Sequence, residues 1–173
     1  MQVAHEVVAF IEPYIALYGA FAILVLVFLE SLGAPVPGES ALIAASLIAS
    51  RGDISIVHLL LAAVAGAILG DFTGYLIGRF GGRRLLLRYG WLIKLTPERL
   101  AMVEKQFRSR GMIIVFVARF VVLLRQLNGL VAGSMAMPWP RFLVANALGG
   151  LAWASTWVLG PYFFASLFTG GAR

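Results

Sequence analysis

Between Phe28 and Ser46 the chain reads FLESLGAPVPGESALIAAS, and this stretch constrains the fold more than any other. Two carboxylates, Glu30 and Glu39, and two prolines, Pro35 and Pro37, interrupt what is otherwise an apolar run. Proline removes a backbone donor and fixes φ, while Gly33 and Gly38 permit tight backbone, so no helix passes intact through Ser31 to Gly38. A helix broken at membrane depth survives only where it is buried in protein or lines a wet cavity. The stretch is therefore expected to form a re-entrant hairpin, with Tyr14–Leu29 descending, Ser40–Ser50 ascending, and Pro35, Pro37 and Gly38 at the tip.

The membrane itself is implied by composition. Of 173 residues 61% are hydrophobic and 13% charged, with a mean hydropathy of +0.91, too apolar for an ordinary soluble domain. A helix needs about 20 apolar residues to cross the hydrocarbon core. Only Ile56–Gly78 and Phe142–Phe168 meet that length unaided. The start, MQVAHEVVAFIEPY, has no basic segment ahead of an apolar one, so the chain is expected to insert by its own helices, with residues 1–12 as a short interfacial helix and Pro13 opening the next element. The absence of cysteine excludes disulfides, iron–sulfur clusters and cysteine zinc sites.

Ile56–Gly78 carries the most regular pattern, with Gly66, Gly70, Gly74 and Gly78 at four-residue spacing. One stripe of glycines lets another backbone approach closely in a membrane. Asp71 and Tyr75 stand four apart beside it, which predicts a phenol hydrogen-bonded to the carboxylate. Asp71 is then either part of a functional site or a clamp between helices. After this crossing, nine of the 14 lysines and arginines fall between Arg79 and Arg110, against two acids, Glu98 and Glu104. Such a stripe, fringed by Leu85–Leu87, Tyr89 and Trp91, suits an anionic membrane surface; the positive-inside rule places it in the cytoplasm, and the alternative is that its charges serve lipid headgroups on the other face. Thr96-Pro97-Glu98 predicts a helix start, with Leu100, Val103 and Phe107 on one face and Gly111 as its stop.

Met112–Met137 repeats the opening design with the charges reversed. Arg119 and Arg125 interrupt it, followed by Gln126, Asn128, Gly129 and Gly133, and no unbroken span fits. A second hairpin is expected here, separated by Pro138 and Pro140 from the last crossing, which carries Asn146 and the aromatic pair Trp153 and Trp157. The expected fold is an all-α membrane protein: two re-entrant helical hairpins facing each other, each followed by a transmembrane helix, with interfacial amphipathic helices. It forms a single membrane domain divided as 10–80, a basic segment 81–111, and 112–168. Paired, Gly/Pro-interrupted segments in corresponding halves are the pattern of transporters built from repeats.

FLESLGAPVPGES (28–40), GDFTGYLIGRFGG (70–82) and ARFVVLLRQLNGLVAGSMAM (118–137), with Phe142 and Asn146, resemble the signature blocks of the DedA family, the bacterial members of the VTT or SNARE-associated group. The resemblance covers roughly residues 10–165. It departs from the family pattern at Val122, where many members have proline. The resemblance implies a lipid flippase or scramblase of the cell inner membrane, chiefly moving undecaprenyl phosphate, with coupling to protons in some members. By position it makes Glu30 and Glu39 the essential acids and Arg119 and Arg125 the essential arginines.

The residue chemistry points the same way. Ionisable groups inside a bilayer are costly and are functional candidates by default. An arginine keeps its charge when buried and grips a phosphate with two parallel hydrogen bonds, so Arg119 and Arg125 are the expected phosphate ligands. Glu39 lies in the first turn of its half-helix, where the dipole favours a carboxylate, whereas Glu30 lies at a helix C-terminal end. That makes Glu30 the better proton-coupling candidate, with Glu39 and Asp71 as further ones. Tyr75, Gln126, Asn128 and Asn146 are the supporting polar groups. The expected partners are membrane lipids and a coupling proton, with a homo-oligomer left open; no nucleic acid, metal or cofactor is expected. Three other readings remain: a proton-coupled carrier of ions or small anions, a phospholipid scramblase, and a structural organiser. A lipid phosphatase is disfavoured because the two histidines, His5 and His58, have no suitable partners near them in sequence.

Overall fold

The computed structural model describes residues 18–52, 54–82, 84, 88 and 97–169. The expected helix at 1–12, Pro13, Asp53, Thr96 and most of the segment between Arg83 and Thr96 lie outside them. Six α-helices are seen among the described residues: α1 (Tyr18–Leu32), α2 (Gly38–Ala49), α3 (Ile56–Ile77), α4 (Pro97–Ala118), α5 (Val122–Ser134) and α6 (Trp139–Thr169). A π-helical turn, Gly78–Gly82, extends α3. Ile56–Gly82 and Trp139–Ala165 are long and apolar enough to cross a membrane, as expected from the sequence, and α1 and α2 are too short.

Helix α3 is the axle, and its glycines set the directions of its neighbours. A Cβ on Gly66 would meet the carbonyl of Leu24, and one on Gly70 would meet that of Phe28, so α1 runs parallel to α3 at backbone contact. Gly19 lies beside Ile54, near the start of α3. Helix α1 thus begins level with the start of α3 and ends beside Gly70. Helix α2 begins there and returns to Ser50, from which a short turn through Gly52 leads into α3. The first helix pair enters and leaves at one end of α3.

The second pair does the same from the other end. Helix α4 packs beside the first half of α6, with Arg141 donating to the Arg108 carbonyl at 3.4 Å and Gly149 against Phe116. Helix α6 is antiparallel to α3, because Tyr75 stacks on Phe142 while Leu59 shares a core with Val158. Helix α4 therefore climbs against α3, and α5 turns back along it. Gly129 touches the Asp71 carbonyl and Gly133 that of Tyr75, while Gly78 touches the Leu130 carbonyl, so small residues face each other along this crossing.

The expected stop at Gly111 is not there: α4 continues from Pro97 to Ala118 without a break. Glycine within a helix costs only about 1 kcal/mol relative to alanine, and packing readily overrides it. Gly111 sits where α4 passes Met137, whose side chain would lie 3.1 Å from a Cβ added there. The basic amphipathic segment and the first arm of the second helix pair are thus one helix, and Phe107 is buried in the core. Pro140 likewise falls inside the first turn of α6, where its missing donor costs nothing, so Pro138 alone separates the two elements.

Two apolar clusters result. One holds Ile23, Val27, Leu42, Leu59, Ala63, Trp153 and Val158, toward the start of α3. The other holds Tyr75, Phe107, Val115, Met137 and Phe142, toward its end. Many large side chains point outward, among them Phe21, Leu61, Ile77, Phe120, Leu148 and Phe164, as a lipid-facing surface requires.

Candidate functional site

A polar layer lies between the two clusters, about midway along α3, and each side chain in it is held there by a local reason. Helix α1 ends at Leu32 with Gly33 at φ 108, donating to the Glu30 carbonyl at 3.1 Å, while Ala34 donates to that of Leu29 at 2.9 Å. This is a glycine-terminated Schellman stop, and it leaves Glu30 on the last turn of the helix, pointing inward. Gly38 lies close under Glu30, so that a Cβ there would stand 2.6 Å from Glu30 Oε2 and push the carboxylate aside. Pro35 and Pro37 are exposed on the loop between. Gly33 also comes close to the Gln126 carbonyl, so the two tips touch.

The second tip turns at Arg119–Val121. Backbone donors at Phe120 and Val121 reach the carbonyls of Val117 and Ala118, at 3.1 and 3.2 Å, and Val121 is extended (φ −113) before α5 begins. No glycine or proline marks this turn. Arg119 is 1% exposed and Arg125 3% exposed, so both guanidiniums are interior.

The arginines do not share the acids as one cluster. Arg125 Nη2 donates to Glu30 Oε1 at 3.0 Å and to Glu39 Oε2 at 3.3 Å, and its guanidinium lies 4.7 Å from the centre of the Trp153 ring. Arg119 pairs with neither glutamate. Its Nη1 donates to Asp71 Oδ2 and to Asn146 Oδ1. Asn146 Nδ2 in turn donates to the Ile68 carbonyl at 3.1 Å, and Asn128 Nδ2 to the Val115 carbonyl at 3.1 Å and to Asp71 Oδ2 at 3.5 Å. The layer thus has two compartments, one built on α3 and α6 and one built on the first hairpin.

Tyr75 belongs to neither. The predicted bond to Asp71 is not formed: the Tyr75 hydroxyl donates to the Met137 carbonyl at 2.5 Å, and its ring stacks on Phe142 at 4.5 Å. Asp71 faces Arg119 instead, a charged donor that outcompetes a phenol. Gln126 contributes through its backbone, against Gly33. Trp153 was legible in sequence only as part of an aromatic band. The signal for more was its seven-residue spacing from Asn146, which puts both on one helix face.

Not all of the layer's polar atoms have protein partners. Asp71 Oδ1, Arg119 Nε and Nη2, and Arg125 Nε are buried without one. Such groups ordinarily find a partner, and each costs about 1–3 kcal/mol when it does not. In a layer this buried they are suited to a ligand or to water. Among the described residues, no three acids or histidines stand close enough together to hold a metal ion.

Two apolar spans, an outward apolar surface and a buried ionic layer at the meeting of two broken elements define a helical membrane protein. The sequence profile of the VTT domain matches residues 36–163, and the chain belongs to that family, the DedA proteins. An uncharacterized membrane protein of Synechocystis sp. is 40% identical over 152 residues, 88% of this chain and 70% of that protein. A protein of Bacillus subtilis named undecaprenyl phosphate transporter A is 31% identical over 123 residues, 71% of this chain and 62% of its own length. A Lactococcus lactis protein named alkaline phosphatase-like is 32% identical, covering 79% of this chain and 66% of that protein. The chain therefore spans about two thirds of the length of these curated relatives, 62–70%. No solved structure matches it.

Proposed function

We propose that this chain carries a lipid phosphate, a polyprenyl phosphate in particular, across the cell inner membrane, and that its helix pairs are hairpins re-entering from opposite leaflets. The carrying observation is the buried arginine layer, with donor nitrogens of both Arg119 and Arg125 lacking protein partners, where the two tips touch. The name of the Bacillus subtilis relative supports undecaprenyl phosphate as the class of lipid.

The roles divide with the compartments. Three carboxylates meet two guanidiniums, leaving one negative charge in excess. A proton bound to Glu30 or Glu39 removes that excess and frees one side of Arg125. A phosphate then takes the place of the lost carboxylate, as a bidentate partner of matching geometry. Glu39 is the most open of the three acids and is the natural door for that proton. Arg119, neutralised by Asp71 and held by Asn146, keeps Nε and Nη2 without protein partners and offers them to the same phosphate. The lipid tail stays outside, along the exposed apolar residues at the second tip, Phe120, Val121, Val122 and Leu124. The protein changes the side of the lipid and no covalent bond.

The test uses purified protein in liposomes doped with a labelled polyprenyl phosphate, and an added phosphatase that reaches only the outer leaflet. Carriage predicts that the whole pool becomes cleavable, with an inward proton gradient changing the rate. A zwitterionic phospholipid moved equally fast would indicate a scramblase. Competition by soluble phosphate as strong as by the lipid would indicate a small-anion carrier. Either result would displace this reading.

A further inference from the structure

A second cationic feature stands apart from the midplane layer. Where α4 meets the start of α6, a cavity of about 610 Å³ is lined by Arg108, Arg110 and Arg141 together with Met112, Ile113 and Met137. Its size falls within the range of small-molecule sites, roughly 300–1,000 Å³. Gly111 lines it against Met137, and the Arg141 bond to the Arg108 carbonyl ties its two walls together. From Arg110 to Arg119 is nine residues of helix, roughly 14 Å, beyond the reach of one side chain into the other site.

The apolar side continues out of the cavity in one direction. Ile113, Val117 and Phe120 follow Arg110 at helical spacing and are all exposed, Ile113 by 66%. They form a strip that starts at the arginines and ends at the second tip. A free anion would use the arginines and leave this strip idle. A lipid with a compact anionic head uses both, placing its phosphate among the guanidiniums and laying its chain along the strip.

We propose that this cavity is a docking site for a single-phosphate lipid in the leaflet at the arginine-rich end, which loads the lipid beside the second tip. The proposal rests on the lipid-phosphate reading and names where that substrate first binds. Arg110 and Arg141 hold the phosphate from two helices. Ile113 and Val117 hold the first part of the chain.

The experiment measures binding of a prenyl phosphate, the matching prenyl alcohol and inorganic phosphate to detergent-purified protein carrying Arg125→Gln, so that Arg125 of the midplane layer does not contribute. Prenyl phosphate should bind this background, and adding Arg110→Gln with Arg141→Gln should weaken it by about tenfold or more, as expected for losing charged hydrogen bonds. The alcohol should bind poorly, and inorganic phosphate should not compete at equal concentration. Both arginines are exposed, and an unchanged thermal unfolding midpoint would verify that the fold survives. Unchanged affinity in the double replacement, or equal competition by inorganic phosphate, overturns the proposal. Docking without any translocation by the wild-type protein would instead sink the transport reading and leave the docking site standing.

Discussion

The two helix pairs reach the same layer from opposite ends of α3, yet they are stopped in different ways. The first is stopped by its backbone: Gly33 at positive φ, then Pro35 and Pro37, then a close fit of Gly38 under Glu30. The second is stopped by a side chain. Arg119 sits on a turn with no glycine or proline, and the turn is held because its guanidinium is engaged by Asp71 and Asn146. The contrast carries over to the arginines themselves. Arg119 is held by one carboxylate and one amide, and Arg125 is divided between two glutamates and a tryptophan ring, so a change in either acid changes what it holds.

The sharpest way to break this contrast is to remove each arginine's partner in turn. Arg119→Ala leaves Asp71 buried and unpaired, and loss of one member of a buried pair costs about 3–5 kcal/mol. The thermal unfolding midpoint in detergent should drop accordingly, and pairing the change with Asp71→Leu should recover most of the loss. If Arg119→Ala alone were neutral, Arg119 would not be what holds the turn.

Next in size is the glycine stripe. Gly78→Ala drives a methyl into the Leu130 carbonyl on α5, an overpacking that costs about 1–3 kcal/mol. Gly74→Ala meets nothing nearer than 3.5 Å and should be neutral or stabilising by up to about 1 kcal/mol, since alanine is the better helix former. Equal effects at the two positions would mean that α5 does not cross α3 where the glycines indicate.

How far the sequence foretold this arrangement follows from the kind of signal each part leaves. Backbone devices are local, so the first tip, the two full spans and the close approach along the glycine stripe were readable from Pro35, Pro37, Gly33 and the spacing of Gly66 to Gly78. The continuity of α4 through Gly111 was not, because a neighbour far away in sequence, Met137, decides what that glycine is for. The buried polar layer was readable as a set of residues but not as a set of pairs. Arg119, Arg125, Glu30, Glu39, Asp71, Asn128 and Asn146 all belong to one layer, yet which acid meets which arginine depends on the packing of α3 against α6. Tyr75 was misassigned for the same reason: its nearest polar neighbour along the helix was Asp71, but the fold offered it the Met137 carbonyl.

A smaller effect sharpens the account of Arg125. Trp153→Phe keeps an aromatic face beneath the guanidinium but weakens the cation–π attraction, which is worth about 0.5–2 kcal/mol. The expected outcome is a modestly lowered unfolding midpoint, from trimming a buried ring, together with a lipid transport rate lowered several-fold. Loss of stability without loss of rate would make Trp153 a packing residue only.

The claim on which the rest depends is that Arg125 passes from the two glutamates to the phosphate of the lipid. Its most direct measurement is headgroup translocation by Arg125→Lys in proteoliposomes, with folding verified by an unfolding midpoint close to that of the wild type. Lysine keeps the charge and satisfies Glu30 and Glu39 but cannot grip a phosphate with two parallel bonds. The account predicts a folded protein that no longer moves the lipid; translocation at the wild-type rate would contradict it.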